Sequence, residues 1–422
     1  MALHKDQTGA NLHEPIAIAT ALVDKVYVAD GAGSGDFKFF KPRSVELVNA
    51  MTDFPAAVAG VRTLLDNKIY VVGTSISTAD RFVLGVANMI TSLSIEGPKL
   101  TYTGTDAMFT GVDKNFQVDQ ANLDCPNGTV LDMSGTGGTG FIRFDKTRVN
   151  NAVKLGKFTN MIGVVFSRCA LLNLDDGIEL LGANQYAVVS VEKLRTTTTS
   201  ATYTFLDLGT IETVTCEVTD IIFDGPAGAV AIKGATGSAN IAANKLAIVA
   251  SCEFDPDMTA LSGLTIEDIR WEFRANSGLA NSIKATDTFI TASEVVTIGS
   301  AGVFVAIGGT AWTSDISSRF TTTSAGVLTY ISEQDSIFLV SGVATIEKVV
   351  GGTDVLEMRI AKNGTTIPKS GSFTEAATPT TVSSQALLSL TKNDTLQLFV
   401  ANNTSAGNID VNIANLTARA SG

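Results

Sequence analysis

The sequence is poor in the residues that most site chemistry needs. Only 2 histidines occur in 422 residues, His4 and His13, both near the start. A Ser-His-Asp or Cys-His arrangement would need one of them to reach a distant folded pocket, which argues against histidine-based catalysis. The 4 cysteines (Cys125, Cys169, Cys216, Cys252) lie far apart, with no CxxC pair. That spacing predicts reduced, buried core thiols and synthesis in a reducing cytoplasm, with no metal centre and no cofactor. Charged residues make up only 17% of the chain and proline is sparse at 9. Long amphipathic helices, which draw on Leu, Glu and Lys, are not expected from such a mix. No uncharged apolar run of about 18 residues exists, so no membrane insertion is predicted. The opening "MALHKDQTGANLHEP" lacks the apolar core of an export signal. A net charge of −12 would repel a phosphate backbone, so no nucleic-acid partner is expected.

What is present is glycine, at 38 positions, with abundant Thr, Ser, Ala and Val. These residues suit short strands and tight turns. Between about Thr91 and Asn281 one phrase recurs: a strand-like run, a polar turn, and a second apolar run ending in glycine. The closing runs end near Gly111, Gly135, Gly182, Gly209 and Gly234, at spacings of 24, 47, 27 and 25 residues, and 47 is close to two units of 24. A repeat of this length with several short strands per unit marks a stacked solenoid. The LxxLxLxxN frame of leucine-rich repeats is missing, so a parallel β-helix fits better. Alternate residues, such as Val164 with Phe166 and Val189 with Val191, should then point into a narrow core. Such a stack needs a cap, and "SVELVNAMTDFPAAVAGVRTLL" after Pro42 carries the one convincing helical pattern.

From Trp312 the rhythm becomes antiparallel, with period-two strands cut by Asn-Gly, Gly-Gly and Asn-Asp turns. "VLEMRIAKNGTTI", then "LLSLTKNDTLQLFVANNT" and "VNIANLTA", resemble the jelly roll of the tumour-necrosis-factor and C1q-like family. That resemblance covers about a quarter of the chain and implies a homotrimer, with Leu396, Leu398 and Phe399 of "KNDTLQLFV" at the trimer interface. The leader, "LHEP" (Leu12, His13, Glu14, Pro15) followed by "VYVADGAGSG", resembles that of bacteriophage fibre and decoration proteins. The resemblance implies that Val26, Tyr27, Val28, Asp30, Gly31, Gly33 and Gly35 belong to a virion-anchoring segment that contacts other virion proteins.

The glycines of "GAGSG" could also suggest a phosphate-binding loop. Such a loop must open a helix whose first amides hold the phosphate, whereas this one runs into the strand-like "DFKFFKP". It reads as a joint. Carboxylate chemistry is the stronger rival, because phage tailspikes built on β-helices cleave polysaccharide with paired acids. The candidate catalytic residues are Asp175, Asp176, Asp255 and Asp257, with Glu253, Glu267 and Asp268 nearby in sequence. "LDDG" and "DPD" equally suit turns. With 2 tryptophans and 6 tyrosines the chain has few rings for stacking sugars, and Trp271 is the one plausible glycan-binding platform.

The expectation is therefore an all-β chain without enzymatic activity. It comprises an N-terminal virion-anchoring segment (1–42), a right-handed parallel β-helix with a helical cap (43–285), a linker (286–311) and an antiparallel jelly-roll knob (312–422). It would sit on the virion surface as a trimeric head fibre or capsid spike, adhering to host cell-surface glycans. The alternative is a receptor-binding tail fibre or a depolymerase tailspike.

Overall fold

The computed structural model describes residues 25–29, 35–39 and 44–421, apart from 137–138, 184–185, 236–238, 310, 351 and 377. Lys25–Ala29 pairs antiparallel with Gly35–Phe39, so the run after the last glycine of the leader is a strand. The expectations at Leu12, His13, Glu14, Pro15, Asp30, Gly31 and Gly33 lie outside the described residues.

The described chain divides into two compact units. The first runs to Thr213 and includes 217–234 and 252–262; the second comprises 214–216, 235–251 and 263–422. In the first, every turn of chain adds one strand to each of several parallel faces. One face is a 9-stranded sheet that begins with Val61–Thr63 and ends with Thr259–Ser262. A second face stacks Asn115–Asp119, Phe141–Asp145, Gly163–Ser167 and Tyr186–Thr197 in parallel register. A third stacks Lys99–Tyr102, Asn122–Asp124, Arg148–Asn150 and Ala170–Leu172. This is a parallel β-solenoid.

The sequence beat maps onto it. Val164 pairs with Val189 and Phe166 with Val191 on adjacent rungs, and all four are fully buried. Buried rings continue the column, with Phe144 and Phe166 at 5.1 Å and Phe223 and Phe254 stacked at 4.9 Å. Each such pair adds about 0.5–1.5 kcal/mol beyond its buried area. The 47-residue interval holds an extra rung, Lys154–Thr159, which ends on Asn160 at φ 53° where its neighbours end on glycine. All four cysteines are buried, and among the described residues none is in a disulfide.

A bend between the second and third faces is made by one residue per rung in the left-handed region: Gln120 (φ 50°), Lys146 (46°), Arg168 (55°) and Lys193 (52°). The conformation costs about 1–2 kcal/mol for an ordinary residue. An amide bond to the next rung offsets it: the N–H groups of Gln120, Lys146 and Arg168 donate to the carbonyls of Asp145, Ser167 and Glu192 at 3.0 Å each.

Two expectations are corrected. The segment expected to cap the stack as a helix is a strand, Ser44–Val48, then a 3-10 turn at Met51–Asp53 and a strand at Val61–Thr63. Ser44–Val48 pairs in parallel register with Lys68–Val72, and the ladder bonds gained across this edge outweigh helix propensity. Phe54 caps the apolar column, with its ring 5.2 Å from Tyr70 and 4.9 Å from Phe82. Nor is 286–311 a linker. Ala285–Ile290 pairs antiparallel with both Trp312–Ser318 and Ile409–Ala420, and Val305–Ala306 pairs with Thr395–Asn402.

In the second unit two antiparallel sheets share one apolar core. One has the order Trp312–Ser318, Ala285–Ile290, Ile409–Ala420, Ser336–Lys348, Thr380–Leu390. The other has Phe320–Thr322, Leu328–Tyr330, Thr395–Asn402, Asp354–Lys362, with Ser372–Ala376 paired to the last. Both sheets contribute to the core, including Phe338, Val340, Leu356, Ile360 and Leu416.

Candidate functional site

The acid-rich surface of the first unit is the outer side of its nine-stranded sheet. Parallel register aligns Asp132, Lys157, Glu179, Asp207 and Lys233 in one outward column. Beside it runs a cavity of about 420 Å³ lined by Arg81, Asp106, Asp132, Lys154, Lys157 and Glu179 among others. Lys154 Nζ lies 2.9 Å from Asp176 Oδ2 and 2.7 Å from Glu179 Oε2. Two carboxylates are thus held as close as glycoside hydrolysis requires. The ammonium fills the space between them, however, and burial of Lys154 is outweighed by Glu179 and Asp176, which raise its pKa. Asp176 is further engaged by the amides of Gly177 (3.0 Å) and Thr204 (3.2 Å). Its geometry is that of an anionic acceptor fixing a corner.

The other predicted acids are dispersed. Asp175 is exposed and its amide bonds the Ala152 carbonyl at 2.9 Å. Asp255 accepts the Asp257 amide at 2.9 Å, closing the turn around Pro256, and Asp257 is exposed. Sequence reasoning missed another acid alignment, Asp119 beside Asp145 on adjacent rungs. Arg168 takes Asp145 through its Nε at 2.8 Å. Only register reveals that pair, because its members stand 26 residues apart in a repeat of uneven length.

Trp271 is fully buried and stacks on Phe273 at 6.0 Å, which corrects its assignment as a sugar platform. It fills the inward position of its strand, where the period-two alternation of "RWEFR" puts apolar residues. The trimer-interface expectation is corrected in part for the same reason. Leu396 and Leu398 are fully buried in the core of their own unit, while Phe399, of opposite parity, is half-buried. A strip of outward apolar residues lies on the other sheet: Ile337, Leu339, Val343, Leu387 and Ile413 are 38–59% exposed. Leu339 and Leu387 are direct cross-strand neighbours, as are Thr345 and Ile413.

Asp354, which opens the strand Asp354–Lys362, and Asp394, in the loop before Thr395–Asn402, are both saturated by protein. Asp354 Oδ2 accepts from Ser405 Oγ (2.5 Å), Asn402 Nδ2 (2.8 Å) and Lys348 Nζ (3.0 Å), which hold its pKa down at about 2. Asp394 accepts from the Thr391 amide, Asn363 Nδ2 and Lys362 Nζ, each at 2.7 Å. Among the described residues no group of three His, Cys, Asp or Glu is placed to hold a metal ion, and no helix is long and apolar enough to cross a membrane.

No protein-family model and no curated protein matches the sequence. Among solved structures, the Eiger tumour-necrosis-factor protein of S. frugiperda is similar over 33% of this chain and 93% of its own, at 12% identity and a TM-score of 0.26. The enzymatically active domain of bacteriophage CBA120 tailspike protein 4 is similar over 82% of this chain, at 10% identity and a TM-score of 0.22; the chain spans 64% of that domain. Full-length tailspike protein 2 of an Escherichia coli O157:H7 bacteriophage is similar over 86% of this chain and 69% of its own, at 9% identity and a TM-score of 0.20.

Proposed function

We propose that this chain is a structural protein of a bacteriophage surface, a homotrimeric spike of the head-fibre or capsid-decoration type that aids adhesion to host-surface glycans. Residues 1–42 would anchor it to the particle, the right-handed solenoid would form the stalk, and the two antiparallel sheets would form a jelly-roll knob. The observation that carries this reading is the outward apolar strip Ile337, Leu339, Val343, Leu387 and Ile413 on one sheet of the second unit. Such a strip is costly in water and is relieved when copies associate around an axis. The Lys154 ammonium held between Asp176 and Glu179 supports a role without catalysis. A trimer also suits adhesion, because three weak sites act together.

Light scattering tests the assembly. The wild type is expected at three times its 44.0 kDa chain mass, and a Leu339→Asp, Leu387→Asp double variant as a monomer with native circular dichroism. A monomeric wild type would refute the trimer. Deleting residues 2–40 should leave a folded trimer that no longer joins the particle; continued incorporation would refute the anchor. The second reading, a depolymerase tailspike, draws on the Asp176–Glu179 pair around Lys154. Capsule clearing by the wild type that is lost in Asp176→Asn, Asp175→Asn or Asp255→Asn trimers would favour it.

A further inference from the structure

The second unit contains a cavity of about 730 Å³ whose lining includes Glu272, Arg274, Asn281, Lys284, Gln334, Ser336 and Arg419. Its volume falls in the range of small-molecule sites. In a chain of net charge −12 this hollow is cationic, with three basic side chains against one carboxylate. Glu272 Oε1 lies 3.7 Å from Arg274 Nη1, a long and partly exposed contact. Lys284 reaches only neutral acceptors, Gln334 Oε1 and Ser336 Oγ, the latter at 3.1 Å. Among the described residues the half-buried ammonium therefore makes no ion pair, and burial pushes its pKa down, with Arg319 and Arg274 adding to the effect and Glu272 opposing it. Arg419 is exposed and makes no side-chain hydrogen bond or ion pair among the described residues.

The second observation is on the acid. Glu272 Oε2 is buried and has no hydrogen-bond partner among the described residues. An orphaned, buried carboxylate oxygen costs on the order of 1–3 kcal/mol or more, and a donor that reached it would recover that cost. A bare anion cannot donate. One ligand class meets both needs: an anionic group for Lys284 and Arg419, and hydroxyl donors for Glu272. Asn281 and Ser336 add polar groups on the same wall.

We propose that this cavity binds an acidic saccharide, with the sugar carboxylate on Lys284 and Arg419 and a ring hydroxyl donating to the Glu272 carboxylate. The inference deepens the adhesion reading by naming the class of glycan. Its test uses soluble ligand and so does not depend on where the protein sits on a particle. Ile337, on the apolar strip, also lines the cavity, so the site lies beside the surface proposed to join copies.

The experiment titrates the full chain with tri-galacturonate, with its fully methyl-esterified form and with inorganic phosphate, followed by calorimetry and ligand-observed NMR. Tri-galacturonate should bind, more weakly as salt rises, and the neutral ester should bind at least tenfold more weakly. Lys284→Met with Arg419→Gln should lose at least tenfold in affinity while keeping the wild-type melting temperature. Glu272→Gln should weaken tri-galacturonate but leave the residual binding of phosphate unchanged. Equal binding of acid and ester, phosphate binding as tightly as the sugar acid, an unaffected double variant, or no binding at tens of millimolar would each overturn the proposal. A wild type that binds the sugar yet is monomeric would fault the trimer and spare the site.

Discussion

Removing the Arg319 guanidinium tests how the second unit is held together. Arg319 is 3% exposed and sits at φ 67°. Its Nη1 donates to the Glu267 carbonyl at 2.9 Å, and its Nη2 to the carbonyls of Trp271 (2.5 Å) and Ile266 (3.2 Å) and to Ser282 Oγ (3.3 Å). One cation thus clasps the chain around 266–282 to the strands that follow. Burial pushes its pKa down, with Glu267 and Asp268 opposing. Arg319→Met keeps most of the aliphatic stem and leaves three carbonyls without this donor. At the low end of about 1.5–3 kcal/mol for each of the three bonds to a charged group, less the relief of removing a desolvated charge, the net loss is about 3 kcal/mol. A unit of this size shifts by roughly 2–4 °C per kcal/mol, so its melting transition should fall by about 6–12 °C. Arg319→Lys retains the charge but cannot span the acceptors and should lie between. Calorimetry of the full chain resolves the transition. A Met variant melting within about 2 °C of wild type would refute the clasp.

Rung spacing gives another prediction. A Cβ at Gly177 would stand 2.1 Å from the carbonyl oxygen of Phe205 on the next rung, whereas one at Gly299 would meet nothing within 4 Å. Gly177→Ala should therefore cost about 1–3 kcal/mol in denaturant melts and Gly299→Ala almost nothing; equal effects would sink the packing argument. Acid should loosen the loop that follows Asn402. Asp354, with a folded pKa of about 2 against an ordinary 3.8, contributes stability above roughly pH 4 that is lost as pH falls toward 2. Asp354→Asn should flatten that part of the acid profile in denaturation between pH 5 and 2, and an unchanged slope would count against the assignment.

The rung repeat was legible because each turn of chain buries the same positions, so Val164, Phe166, Val189 and Val191 declare themselves by alternation. The corners were not. Left-handed positions are sought at glycine or asparagine, yet Gln120, Lys146, Arg168 and Lys193 occupy them, and the first three donate their amides to carbonyls of the neighbouring rung, bonds that no local pattern announces. Period two shows that a strand has two faces but not which one meets its own core. That ambiguity misplaced Leu396, Leu398 and Trp271, and only the sheet partners resolve it. Ser44–Val48 looked helical because its neighbour across the edge, Lys68–Val72, lies 24 residues away in sequence. The cavity around Lys284 is assembled from separate segments, 272–284, 334–337 and 419–421, and no spacing rule joins them.

The amide bridges at the corners also limit how such a chain can change length. Each coil takes its register from the one before, so losing or gaining a few residues within a strand would turn buried side chains to the outside. Whole coils can be added or removed without that penalty. The reach of the stack is therefore quantised, in steps of about 4.8 Å, and variation in its length between related chains should come as entire turns rather than as scattered insertions.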